Sequence, residues 1–362
     1  MSVFCYNLII FVAMNLDYIV VGCGLSGIAF CEQLKAANKQ FVVFDNQSQQ
    51  SSLVAAGMYN PVILKRFSEV WKAQEQLNLA LPFYKRIEDK LNVTINYPFP
   101  IYRKFASIEE QNMWFEASDK PKLEPFLSPK ILSNHNVNIN APFGFGQVLS
   151  SGRIDTNVLI ASYRAYLKQN NQLIEKSFQY NKLHIQETLA THDTISAKHI
   201  VFCEGFGLKQ NPFFNDLPLN GTKGEVITIK APKLACDVAL KSSVFVIPES
   251  DDLYTVGATY NWEDKTNLIT EVAKQELVSK LKTLITCDFE VVNQVAGIRP
   301  TVKDRRPLVG RHPKHKNVYI CNGLGTRGVM IAPYISEKLF NFIENNQALD
   351  AEISIDRFFI SQ

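Results

Sequence analysis

A glycine-rich turn between an apolar run and an amphipathic segment most constrains how this chain can fold. Residues 17–21 (DYIVV) form an apolar run typical of a buried parallel strand. The turn GCGLSG follows at residues 22–27, and residues 28–37 carry apolar side chains at helical spacing. A second apolar run, FVVF at residues 41–44, ends in Asp45. The order strand, turn, helix, strand and acid predicts a dinucleotide-binding unit of α/β, Rossmann-like fold.

Each residue of this turn has a physical task. Gly22 makes the tight turn, Gly24 lets the backbone approach a pyrophosphate, and Gly27 permits close packing of helix on strand. The unpaired N–H groups at the start of the helix attract phosphate. Asp45, 18 positions after Gly27, is placed to accept hydrogen bonds from a ribose diol. The turn alone does not distinguish FAD from NAD.

A second glycine cluster, GLGTRG, lies near the other end of the chain at residues 323–328. The cluster follows the apolar run 317–321 (NVYIC). Residues 51–61 (SSLVAAGMYNP) are rich in small side chains, as a backbone that lies against a flat ring would be. Residues 297–310 read GIRPTVKDRRPLVG. A cofactor site is therefore predicted to form from both ends of the sequence.

These segments, in this order, resemble the FAD-dependent amine and amino acid oxidoreductases of the D-amino acid oxidase superfamily. The likeness is strongest to glycine oxidases and to the oxidoreductase half of the bifunctional enzymes that modify wobble uridine in tRNA. Residues 152–155 (GRID), 200–205 (IVFCEG) and 356–358 (DRF) also fall in the family's order. The resemblance implies FAD as the cofactor, and we expect it to be non-covalent, because residues 51–61 and 299–304 contain no His or Cys for attachment.

The resemblance implies a discontinuous FAD-binding domain and a second, α+β substrate domain built on an antiparallel sheet. The FAD-binding domain would comprise residues 15–75, 148–212 and 295–346, followed by a tail to residue 362, and the substrate domain residues 76–147 and 213–294. A chain of 362 residues suits two domains, since a single core stops growing near roughly 250–300 residues. Strands are predicted at residues 225–229, 244–247 and 253–257, and helices at 69–91 and 269–284.

The resemblance also assigns roles to individual residues. Arg299 is predicted to bind a substrate carboxylate through its planar guanidinium, with an interdomain ion pair as the alternative. Arg327 is predicted to face the flavin pyrimidine, with a solvated arginine at a helix start as the alternative. Tyr260 is the phenol donor we select from the candidates Tyr59, Tyr254, Tyr260 and Tyr334. The predicted cofactor-binding residues are Gly22, Gly24, Leu25, Ser26, Gly27, Asp45, Ser51, Ser52, Ala56, Gly57, Met58, Cys203, Gly205, Gly297, Arg299, Gly323, Gly325, Thr326, Arg327 and Gly328.

Two positions depart from the family's pattern. Phe245 stands where glycine oxidases carry a tyrosine, which argues against glycine itself as the substrate. Thr255 stands where sarcosine oxidases carry an oxygen-activating lysine. The electron acceptor is therefore left open between dioxygen and another acceptor.

Composition limits the partners. The net charge of +3 does not identify a polyanionic partner, but a basic loop at residues 303–316 has two readings, a solvated surface or a footprint for tRNA phosphates. Seven cysteines without a CxxC pair and six histidines without HxxxH spacing predict neither a metal site nor a disulfide framework. This cysteine usage is typical of a reducing, cytoplasmic compartment.

The N-terminal residues 2–14 are apolar but too short to span a bilayer alone, and they lack the basic start of a signal peptide. We expect Met14 to be the true start and no stable membrane insertion, with a membrane-associated N-terminal segment as the alternative.

Three functions follow from the sequence. The first is oxidation of the C–N bond of a small amino acid or secondary amine by hydride transfer to flavin N5, giving an imine that hydrolyses. The second is oxidative removal of the carboxymethyl group from a carboxymethylaminomethyl-uridine in tRNA. The third is a flavin-binding protein without amine chemistry.

Overall fold

The computed structural model describes residues 14–359, so residues 1–13, on which the prediction about the true start depends, lie outside the described residues. The α-helices are α1 Leu25–Ala36, α2 Ser51–Val54, α3 Ala73–Leu91, α4 Ile108–Ser118, α5 Thr156–Gln169, α6 Glu271–Lys282 and α7 Gly328–Glu344. Short 3₁₀ helices span Tyr180–Lys182, Gly205–Gln210 and Ile355–Phe358. The strands are β1 Met14–Val21, β2 Phe41–Phe44, β3 Met58–Tyr59, β4 Val62–Ile63, β5 Ser68–Glu69, β6 Asn96–Pro98, β7 Ile101–Lys104, β8 Leu127–Leu132, β9 Phe145–Val148, β10 Gly152–Ile154, β11 Leu173–Ile174, β12 Leu183–Ile185, β13 Ala190–His192, β14 Ile195–Phe202, β15 Thr222–Lys230, β16 Ala239–Lys241, β17 Phe245–Pro248, β18 Leu253–Gly257, β19 Glu290–Arg299, β20 Leu308–Arg311 and β21 Val318–Asn322.

The first sheet is a parallel sheet in the order β11-β2-β1-β14-β21. At its edges, β20 pairs antiparallel to β21, and the β12-β13 hairpin pairs with the start of β14. The apolar run 41–44 is buried at every position because both faces of the sheet are covered. Helices α1, α3 and α7 pack together over one face. The predicted α/β, Rossmann-like fold is confirmed.

The second sheet has the order β19-β15-β18-β17-β16-β7-β9-β8, and every pair except β16-β7 is antiparallel. Alternation along β15 gives this sheet two different faces. Ile227 and Ile229 are fully buried in a core that includes Leu277 and Leu281 of α6. Val226, one position away, faces the opposite side, towards the first sheet.

The elements that the sequence predicted lie within a few residues of their predicted bounds. Strand β2 matches the apolar run at residues 41–44, and strand β18 matches the strand predicted at 253–257. The helix predicted at 69–91 begins only at Ala73, after the short strand β5. Strand β19 runs through Arg299 and pairs with β15 along its length. Residues 295–299, which the sequence assigned to the FAD-binding domain, therefore form part of the second sheet.

Candidate active site

A cavity of about 760 Å³ lies between the two sheets. Its wall combines the first glycine turn, α2, the end of β14, the start of α7 and one face of the second sheet. Every residue that the sequence predicted for the site lines this cavity except Gly27 and Gly323. The volume lies within the range of small-molecule and cofactor sites.

The first glycine turn is closed by backbone contacts that exclude side chains. Gly22 has φ +103°, and a Cβ there would lie 2.5 Å from the carbonyl oxygen of Cys203. A Cβ on Gly27 would lie 2.0 Å from the carbonyl oxygen of Gly22. Gly27 thus acts through packing of α1 on the strand, as the sequence predicted for it, and has no place in the cavity wall. The close approach brings the start of α1 directly to the cavity.

Two helices begin at the cavity with free N-terminal ends. Neither α1 nor α7 has a side-chain cap or an acidic residue in its first turn. Their unpaired N–H groups and helix dipoles give the cavity two positively polarised regions. Such ends suit the pyrophosphate and the electron-rich edge of a flavin, so this part of the wall fits FAD. Gly323, with φ +75°, turns the chain between β21 and α7 and packs against Val302 and Leu308.

Asp45 lies at the end of β2, in the cavity wall. Its carboxylate accepts a hydrogen bond from the Cys23 amide at 3.3 Å and forms an ion pair with Arg164 of α5. Arg164 also reaches Glu175 at 3.2 Å. Arg164 therefore orients the carboxylate predicted to bind ribose. No local signal in the sequence indicates Arg164, because its role depends on where α5 crosses the first sheet.

Arg299 lies on the cavity face of β19. Its guanidinium occupies the space above Gly224, where a Cβ would lie 1.9 Å from Nη2. Nη1 donates to the Thr259 carbonyl at 3.2 Å, and the Tyr260 ring centroid lies 4.5 Å from Cζ. Among residues 14–359 no carboxylate lies within ion-pair distance of Arg299. The alternative of an interdomain ion pair is therefore not what the structure shows.

Arg327 stands at the start of α7 and lines the same cavity. Its side chain is half-buried, so it is not a fully solvated arginine. Burial lowers the pKa of both Arg299 and Arg327, and the nearby Tyr260 opposes that shift. A partly buried cation whose pKa is lowered by desolvation gains free energy from an anionic ligand. The cavity wall thus favours a substrate or cofactor group with negative charge.

The tyrosine candidates separate clearly in the structure. Tyr260 lines the cavity, whereas the hydroxyls of the others are engaged elsewhere: Tyr59 with Asn96, Tyr254 with the Cys236 amide, and Tyr334 with Lys72 and Asp350. The sequence did not single out Tyr180, which also lines the cavity.

A buried carboxyl, Glu204, follows β14 at the cavity wall. Burial raises the pKa of Glu204 to about 7, and hydrogen bonds from Tyr180 and Asn211 oppose the shift. At and below neutral pH, Glu204 therefore presents less negative charge to a nearby phosphate than an exposed carboxylate would. The sequence signal that could have identified Glu204 is its position directly after the apolar run at residues 200–203.

Two positions that depart from the family's pattern have different surroundings. Phe245 lines the cavity, so the missing hydroxyl changes its wall. Thr255 donates to Glu249 at 2.9 Å, and Glu249 pairs with Arg153.

Two of the six lysines and arginines of the basic loop have an acidic partner: Arg306 pairs with Glu352 at 3.3 Å and Lys316 with Glu187 at 3.7 Å. Asp304, the acid within the loop, pairs with Arg357 at 2.9 Å and so compensates none of the six. Burial and the neighbouring His315 and Lys314 lower the pKa of His312 to about 4, so it is uncharged at neutral pH. Both readings of the loop, as a solvated surface and as a footprint for tRNA phosphates, therefore stay predictions.

Metal and membrane features were also sought in residues 14–359. No group of three or more His, Cys, Asp or Glu side chains in this range is arranged to hold a metal ion. None of the helices in the same range is both long and apolar enough to cross a membrane.

Comparison with known proteins agrees with this site. The family model described as FAD dependent oxidoreductase matches residues 17–341. The chain is 23% identical over 357 residues to glycine oxidase of Bacillus subtilis (strain 168), covering 91% of this chain and 94% of that protein. It is also 23% identical over 275 residues to the tRNA 5-methylaminomethyl-2-thiouridine biosynthesis bifunctional protein MnmC of Legionella pneumophila (strain Corby), covering 67% of this chain and 40% of that protein. The crystal structure of glycine oxidase from Geobacillus kaustophilus superposes with a TM-score of 0.77 at 18% identity, covering 94% of this chain and 98% of that one. The chain therefore belongs to the FAD-dependent oxidoreductase family.

Proposed function

We propose that this oxidoreductase oxidises the C–N bond of a small amino acid or secondary amine, giving an imine that hydrolyses. The observation that carries the proposal is the guanidinium of Arg299, which lies in the cavity wall above Gly224 without a carboxylate partner among the described residues. A guanidinium in this setting pairs bidentately with a carboxylate. The names of the glycine oxidase relatives support the same substrate class.

Substrate orientation follows from this contact. Bound FAD supplies a hydride acceptor at N5 of the flavin. A carboxylate held by Arg299 fixes the adjacent carbon and its amine at one place in the cavity. The positive charges of Arg299 and Arg327 disfavour a protonated amine nearby, because like charges lower the pKa of an ammonium group. The neutral amine is the form from which a hydride can leave, so a strong protein base is not required.

Phe245 narrows the substrate further. Its ring lies in the cavity wall and offers no hydrogen bond where glycine oxidases carry a phenol. A substrate with an apolar or extended group on carbon or nitrogen fits such a wall better than glycine does. We therefore expect sarcosine or another substituted glycine to be oxidised faster than glycine.

The test is an anaerobic titration of the FAD-loaded protein followed by flavin absorbance. We expect the oxidised flavin band to bleach with at least one substrate among glycine, sarcosine and D-amino acids. The same amines without the carboxylate, such as methylamine, are the matched controls and should leave the band unchanged. A band that no amino acid or secondary amine bleaches would contradict the proposal.

A second candidate, oxidation of a carboxymethylaminomethyl group on a tRNA uridine, is favoured by the side chains around Arg327. Tyr260 and Trp262 are 57% and 46% exposed, and Arg305 lies over the Trp262 ring at 5.6 Å. Arg305 is also close enough to Arg327 to lower its pKa. Exposed aromatic rings with arginines offer stacking for bases.

This second candidate has its own measurement. If it is right, tRNA bearing the modified uridine bleaches the flavin, tRNA binding weakens as salt rises, and Trp262→Ala weakens that binding. Bleaching by free amino acids with no response to modified tRNA would exclude it.

A further inference from the structure

Strand register places Lys241 on the cavity face of the second sheet. Val226 of β15 pairs with Gly257, Gly257 with Phe245, and Phe245 with Lys241. Directly opposed residues in neighbouring strands point to the same face. Val226 and Phe245 both line the cavity, and Lys241 lines it as well.

Lys241 is a cation without a partner in its surroundings. Within residues 14–359, the Lys241 ammonium makes no hydrogen bond or ion pair, whereas its two basic neighbours are both compensated. Arg103, opposite it on β7, is held by Glu110, and Lys280 of α6 is held by Glu276 at 2.5 Å. The side chain is half-buried. A desolvated ammonium beside two cations gains free energy when it acquires an anion.

Arg299 and Lys241 occupy the same face at a limited separation. The Arg299 guanidinium lies above Gly224 on β15, and Lys241 is three strands away on β16. Three strand spacings amount to roughly 14 Å between the two backbones, and Gly224 lies two residues along β15 from Val226, which is in register with Lys241. Both side chains line one cavity, so a flexible molecule with an anion at each end can contact both cations.

We propose that Lys241 binds a second anionic group of the substrate, so that the protein prefers substrates with two anionic groups to those with a single carboxylate. This inference rests on the proposed function for one point only, the role of Arg299 as the receptor for the first carboxylate. The class of substrate is a secondary amine or amino acid whose substituent ends in a carboxylate or phosphate.

The ionisation of Lys241 is compatible with this role. Burial and the neighbouring Arg103 and Lys280 lower the pKa of Lys241 to about 8. Lys241 is therefore largely protonated at pH 7 and loses its charge above pH 8. Glu276 and Glu110 face the same neighbourhood, but each is engaged by Lys280 or Arg103.

The experiment measures equilibrium binding of acids that have no C–N bond, so binding is separated from turnover. Calorimetry on the FAD-loaded protein compares the diacids from malonate to pimelate with monoacids of the same carbon number. We expect the best diacid to bind about tenfold more tightly than its monoacid, since a charge-assisted hydrogen bond contributes on this scale. Lys241→Met should remove this preference, and Lys282→Met, an exposed lysine of α6, should keep it.

Two results would overturn the inference: a wild-type protein with no preference for a diacid at any length, or a preference that survives in Lys241→Met. If Lys241→Met does not fold, the pH dependence of binding to the wild-type protein tests the inference instead. The preference for the diacid must decline between pH 7 and 9.5, because Lys241 loses its charge over this range. Arg299→Met should weaken mono- and diacids alike. A preference for diacids together with a flavin that no amine bleaches would refute the proposed function and leave the anion site standing.

Discussion

At the scale of single residues, the site depends on what surrounds a charge as much as on the charge. Arg299 is available to a ligand because Gly224 leaves its guanidinium room and because the residues packed around it supply a carbonyl and an aromatic ring. A side chain at position 224 would occupy the same space. Glu204 shows the converse, since burial raises the pKa of its carboxyl to about 7 and so reduces the negative charge that it presents to the cavity wall at neutral pH and below.

Replacing Arg299 tests its role directly. We expect Arg299→Ala to raise KM for a carboxylate substrate, with a loss of about 2–4 kcal/mol in transition-state binding and little change in bound FAD. Steady-state kinetics with flavin quantified in each preparation measure both effects. Arg311→Ala is the control, because Arg311 lies on β20 over the Phe342 ring, outside the cavity wall. An unchanged KM in Arg299→Ala would remove Arg299 from this role.

Replacing Glu204 tests the buried carboxyl through the pH dependence of stability. The native pKa of about 7 exceeds the 4.5 of an unperturbed glutamate, so the native state holds a proton that the unfolded chain releases between these pH values. The free energy of unfolding therefore falls from pH 4.5 to 7, by up to about 3 kcal/mol from this group. Urea unfolding of the wild type and Glu204→Gln should give a difference that changes over this window and is flat above pH 8. A difference independent of pH would show that Glu204 is already ionised in the native protein.

At the scale of elements, the two glycines of the first turn have separable effects on α1. A Cβ at Gly27 would lie 2.0 Å from the Gly22 carbonyl oxygen, whereas a Cβ at Gly24 meets only the Ser52 hydroxyl at 3.3 Å. We expect Gly27→Ala to displace α1, to cost about 1–3 kcal/mol of stability and to weaken FAD binding. Gly24→Ala should weaken FAD binding with a smaller loss of stability. Thermal unfolding of the apoproteins and FAD titration measure the two quantities, and equal apoprotein stability in both variants would contradict this account.

At the scale of the whole molecule, the fold class could be predicted from short segments of the sequence. The contacts between distant side chains could not. The turn at residues 22–27 and the apolar runs around it are signals contained in a few consecutive residues, and the first sheet forms where they predicted. The contact of Arg164 with Asp45 and the position of Lys241 arise from helix crossing and strand register, which no short segment encodes. The division into domains stays a prediction, with β19 as the element that joins the second sheet to residues assigned to the first.

The order of strands in the first sheet has a consequence for how the protein is made. Strand β1 pairs with β2, the next strand in the sequence, and on its other side with β14. Strand β14 in turn pairs with β21, which lies more than 100 residues further along the chain. Contacts between such distant parts of a chain close large loops and slow the search for the native state. During synthesis the first glycine turn is exposed long before α7 has left the ribosome. The nascent chain therefore carries half of a nucleotide site without the other half, and FAD can stabilise the protein only once nearly all of it has been translated.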